Sequence, residues 1–94
     1  MAVSVKEYIN AIKESIEICK KYRDDAKIKK LYLKSDSEAR YFFNQMNNFI
    51  EQKSRELQGL LGDSNSTHDY SFLLKNLKEY METTKTYFEY LLNK

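Results

Sequence analysis

Tyr70, Leu73, Leu74, Leu77, Tyr80, Met81, Thr84, Tyr87, Phe88 and Leu91 recur every three or four positions almost to the last residue. A helix of 3.6 residues per turn gathers such a series on one side, whereas a strand would need strict alternation. Two further stripes have the same spacing. Val5, Tyr8, Ile9, Ile12, Ile16 and Cys19 form one, and Ala39, Phe42, Phe43, Met46, Phe49, Ile50, Leu57, Leu60 and Leu61 form the other. The chain has no proline and only two glycines in 94 residues, so little in it breaks a helix. The expected fold is all-α, an antiparallel up-down-up bundle of three long helices in a single domain, residues 1–94. Each helix would run for roughly 26–30 residues, or ~40–45 Å.

The punctuation between the stripes refines this expectation. Ser4-Val5-Lys6-Glu7 has the form of a capping box, and Ser35-Asp36-Ser37-Glu38 repeats it, with Ser35 reaching forward and Glu38 back. Gly62 suits a left-handed residue ending the second long helix. Gly62-Asp63-Ser64-Asn65-Ser66-Thr67 reads as a turn-forming loop, with Ser66 or Thr67 capping the last helix and Asp69 complementing its dipole. The first stripe slips after Arg23-Asp24-Asp25, where the apolar residues become Ile28, Leu31 and Tyr32. The first helix is therefore expected either to break near residues 23–26 or to turn its last two turns away from the main core.

Few kinds of chemistry survive inspection of the residues. His68 stands alone, without the close N/S ligands that zinc needs, so neither a metal nor a cofactor is expected. Gly59 and Gly62 do not build a phosphate cradle. Cys19 lies on the apolar stripe, where a thiol behaves as a small hydrophobe. The acidic pairs Glu14/Glu17, Asp24/Asp25 and Glu79/Glu82 are accompanied by lysines at helical spacing and read as solvated faces. No catalytic residues are assigned, and the chain is expected not to be an enzyme.

Charge is uneven rather than large. The chain carries net +2, yet residues 20–34 alone carry net +5, from Lys20, Lys21, Arg23, Lys27, Lys29, Lys30 and Lys34 against Asp24 and Asp25. Lys6, Lys13, Lys20, Lys27 and Lys34 recur every seven residues, a line that drifts slowly around a continuous helix. Combined with the off-stripe apolar residues, this predicts a partner-binding surface at Lys20, Arg23, Lys27, Ile28, Lys30, Leu31, Tyr32 and Lys34. Its complement would be a protein surface that is acidic and partly apolar. Nucleic acid is a weaker expectation, because no reading module accompanies the cations.

The expected role is a small binding protein: an adaptor, secretion chaperone, inhibitor or immunity-type factor. A homo-oligomeric coiled-coil protein is the alternative, and Phe72 and Tyr90, also off the stripes, belong to that question. One cysteine, no apolar run near the ~18 residues of a membrane span and no signal-like N-terminus set the cytoplasm as the expected location. Asn65-Ser66-Thr67 matches a glycosylation acceptor only in form.

Overall fold

The computed structural model describes residues 2–62 and 68–94. It is all-helical among the described residues and contains four helices rather than the expected three: α1 (Val5–Arg23), α2 (Ala26–Leu33), α3 (Ser37–Leu61) and α4 (Ser71–Leu92). The extra helix arises at the slip in the first stripe. α1 closes through Asp24 N–H to the Lys20 carbonyl at 2.9 Å. The Asp25 carboxylate then accepts from Lys27 N–H at 2.8 Å and Ile28 N–H at 3.3 Å, starting a new helix with its own axis. The seven-residue lysine line is therefore interrupted, and Lys27 and Lys34 belong to a different element from Lys6, Lys13 and Lys20.

Two expected helix ends are corrected. Ser35 does not cap α3. It takes a left-handed conformation, φ 63°, and closes α2: its N–H donates to the Tyr32 carbonyl at 3.1 Å, and Asp36 N–H donates to the Leu31 carbonyl at 3.0 Å. These are the two bonds of a Schellman ending, with serine where glycine is usual. The cap of α3 is Asp36, whose carboxylate accepts from Ala39 N–H at 2.9 Å. Gly62 keeps right-handed geometry, φ −76°, rather than the left-handed one expected, and its N–H still donates to the Gln58 carbonyl at 3.3 Å. The caps expected at Ser66 or Thr67, and the loop and acceptor sequence around them, lie outside the described residues.

Contacts define the directions of the long helices. Cys19 meets Met81 (sulfurs 3.9 Å apart) and Tyr22 stacks on Phe88 at 4.2 Å, so α1 and α4 run the same way. Phe42 meets Tyr87 and Phe49 stacks on Tyr80 at 4.6 Å, so α3 opposes α4. α1 and α3 make the closest backbone approach. Between them lie Ile12, Ile16, Ala39, Phe42 and Met46, all buried. α4 is held off by aromatic rings from both neighbours, and only Leu77, Thr84 and Leu91 of this helix are buried. A helix spaced by rings leaves a seam on each side. The Cα atoms span 48 × 24 × 16 Å, so each long helix keeps a solvent face.

Both ends of α4 are tied down by polar contacts. At its start the Asp69 carboxylate accepts from Val3 N–H at 2.9 Å and Ser71 N–H at 3.0 Å, and Tyr70 N–H donates to the Val3 carbonyl. Tyr8 stacks on Tyr70 and donates its hydroxyl to Glu56 at 2.7 Å, while Lys53 donates to the same carboxylate at 2.9 Å. At its far end, Lys94 donates to Asp36 at 2.9 Å and Glu38 at 2.7 Å.

Candidate functional site at the corner between α2 and α3

α2 is an eight-residue amphipathic helix, and its inner face is set by helical spacing. Ile28 is fully buried, and Leu31, one turn on, packs half-buried against the same core. Ile28 is thereby removed from the expected contact surface. Once Asp25 restarts the helix, residues 28 and 31 rotate inward, and burying an isoleucine side chain favours that orientation by about 1.5–3 kcal/mol.

The outer face carries the exposed chemistry. Lys29 and Leu33 lie one turn apart on one row of α2, and Leu33 is 80% exposed. Together with Tyr32 and with Phe43 of α3 they line an open groove of about 200 Å³. The Tyr32 and Phe43 rings stand 4.8 Å apart. The guanidinium of Arg40 lies 4.9 Å from the Tyr32 ring centre, and it donates to the Tyr32 carbonyl at 3.1 Å and to the Ser35 hydroxyl at 3.2 Å. A cation over a tyrosine face adds attraction and fixes the ring. Lys30 and Lys34 occupy the next row of the same helix, both exposed.

Cations dominate this corner, and Asp24, the residue that closes α1, feels Lys29 at a distance without forming a salt bridge with it. Among the described residues no carboxylate approaches Lys27, Lys29, Lys30, Lys34 or Arg40 within salt-bridge distance. The nearby Asp36 and Glu38 are engaged elsewhere. Asp36 is held below the usual carboxylate range by Ala39 N–H and Lys94, and Glu38 is lowered chiefly by Lys94. That ammonium is in turn raised by Glu38 and Asp36.

Of the eight sequence-predicted positions, the structure brings Lys30, Tyr32 and Lys34 to this corner. Leu31 supports it from beneath. Lys20 lies on α1 with Glu17 at 3.7 Å, and Arg23 is engaged by Asp24 at 3.0 Å and by Asn47 at 3.1 Å. Lys27 is half-buried in the first turn of α2. Lys29, Leu33, Arg40 and Phe43 were not among the predicted positions. A signal for two of them existed: Phe42 and Phe43 are adjacent, so both cannot face one core, and Leu33 repeats Lys29 at one-turn spacing.

Comparison with protein-family models, with curated proteins and with solved structures gave no match.

Other residues that could carry chemistry are placed differently. Cys19 is buried, and burial pushes its thiol up to about 12, which keeps it protonated and unreactive at neutral pH. His68 is exposed and precedes α4. Among the described residues no group of three or more His, Cys, Asp and Glu side chains is placed to hold a metal ion. Among the described residues no helix is long and apolar enough to cross a membrane.

Proposed function

We propose that this chain is a non-enzymatic helical protein that works by binding another protein, and that the α2–α3 corner is its recognition surface. One observation carries the reading: Leu33, 80% exposed, forms the rim of an aromatic groove beside cations that form no salt bridge among the described residues. An apolar anchor residue within a ring of like charge fits a partner that is acidic around one large apolar side chain. Burying Leu33 against such a side chain would contribute roughly 1.5–3 kcal/mol. The lysines accelerate encounter and exclude basic partners.

In this reading α1, α3 and α4 are an up-down-up scaffold, and α2 is the element presented by it. Adaptor, secretion chaperone, inhibitor and immunity-type roles all use this mode, in the cytoplasm, where the lone Cys19 needs no disulfide partner.

The test uses the full chain with an acidic amphipathic peptide carrying one central leucine, a charge-inverted copy of that peptide and a single-stranded oligonucleotide. Methyl and amide NMR shifts are followed in each titration. The reading expects the acidic peptide to shift Leu33, Tyr32 and Lys29 first and the basic peptide to shift none of them. A stronger response to the oligonucleotide, or acidic-peptide shifts away from the corner, overturns it.

A further inference from the structure

The charges on the outer side of α4 have an order that their own helix does not use. Lys75, Lys78, Glu79 and Glu82 are spaced i, i+3, i+4 and i+7, which sets all four on one face. All are exposed, and they line an open groove of about 330 Å³ with Leu74. That groove continues, through Lys78 and Glu82, into the α1–α4 seam, where Ala11, Ile18, Leu77 and Met81 supply an apolar floor and Glu14 stands on the α1 rim. Among the described residues none of these lysines or glutamates has an ionic partner within salt-bridge distance. Intrahelical pairing is also poorly served, because each lysine precedes the glutamate four residues on, the less favourable order.

Reversed and laid against itself, the same series pairs completely. When two antiparallel helices cross midway between residues 78 and 79, Lys75 faces Glu82 and Lys78 faces Glu79. The twofold repeats both pairs in the opposite sense. From this we infer that the α4 face and its seam with α1 form a self-association surface whose occupant is a second copy of this chain, α4 antiparallel to α4. A twofold interface must be self-complementary, and an antisymmetric charge series over an apolar floor satisfies that requirement. The cation-dominated corner at α2 does the opposite: a second copy there would set lysines against lysines.

Sedimentation of the full chain at increasing concentration, up to millimolar, tests the assignment. The wild type is expected to pass from monomer to dimer. An all-acidic face (Lys75→Glu with Lys78→Glu) and an all-basic face (Glu79→Lys with Glu82→Lys) should each weaken self-association by at least about tenfold, because like charges meet across the twofold. An equimolar mixture of the two variants should restore a dimer containing one of each. Circular dichroism checks that both remain helical, and these exposed positions carry no buried contact. A wild type that stays monomeric throughout overturns the inference, as does a folded mixture that fails to associate or reversal variants that dimerise as well as the wild type.

Discussion

The corner at α2 and the outer face of α4 are both apolar grooves edged with charge, and they differ in how sign is arranged. At the corner Lys29, Lys30, Lys34 and Arg40 surround Leu33, Tyr32 and Phe43 and form no salt bridge among the described residues. On α4 two lysines are followed by two glutamates, a series that pairs with its own reverse. Net charge is blind to this distinction, since both surfaces sit on a chain of only +2. The order of charge along a helix decides whether a surface repels its own copy or accepts it, and so whether it serves a different partner or the same chain.

The largest expected effect removes the corner's foundation. Ile28→Ala empties a fully buried site on which α2 sits, and the loss should be about 2–5 kcal/mol in chemical denaturation. Leu33→Ala, on the exposed side of the same helix, should change stability by no more than about 0.5 kcal/mol. Equal costs for the two would mean that α2 does not have the inner and outer faces described.

Next in size is a crossed pair of charge reversals. Lys30→Glu with Lys34→Glu should weaken binding of the acidic peptide by at least about tenfold and leave the sedimentation profile unchanged. Reversals on α4 should do the converse. If either set disturbs both readouts, the two surfaces are not independent.

A smaller gain is expected from Ser35→Gly. The left-handed φ of 63° costs a serine about 1–2 kcal/mol relative to glycine, against which stand the lost hydroxyl contact with Arg40 and the greater freedom of glycine in the unfolded chain. The net should be a rise of up to about 1 kcal/mol, read as a higher melting temperature. A fall would show that the Arg40 contact outweighs the backbone term at this corner.

The smallest effect is local and pH-dependent, at the start of α4. The Ser71 hydroxyl, Val3 N–H and Ser71 N–H lower the Asp69 carboxyl to about 2. A group lowered in the folded state stabilises it above the carboxyl's ordinary range, near pH 4, and loses that contribution as pH falls toward 2. Val3 and Ser71 amide signals should therefore shift and exchange faster over that interval while the corner's signals hold. Asp69→Asn should abolish the acid transition at those amides, and a transition that survives the substitution would assign it to another group.

Much of this was readable beforehand. The stripes that contain Ile12, Phe42 and Leu77 announced helices, and the slip after Arg23-Asp24-Asp25 left two outcomes, a break or last turns facing away from the core, of which the Asp25 cap realises the break. The proposed recognition surface was only half legible. Tyr32, Lys30 and Lys34 were in view, but Ile28 was assigned outward because its direction was judged against a helix that continues from α1. Arg40 entered only when α3 folded back beside α2, a relation between elements that no local pattern contains, and the adjacency of Phe42 and Phe43 shows that one ring leaves the core without showing what it meets.

The sequence alone determined the helical class, the slip of the first stripe after Arg23 and the antisymmetric order Lys75, Lys78, Glu79, Glu82, since each follows from periodicity or chemistry within a few turns of one chain segment. Tertiary structure decided which sides of those helices were left over. Aromatic rings between α4 and its neighbours held that helix off and kept its charged face open, and the new axis of α2 buried Ile28 while exposing Leu33. Burial is a property of neighbours, and neighbours distant in the chain are set by packing.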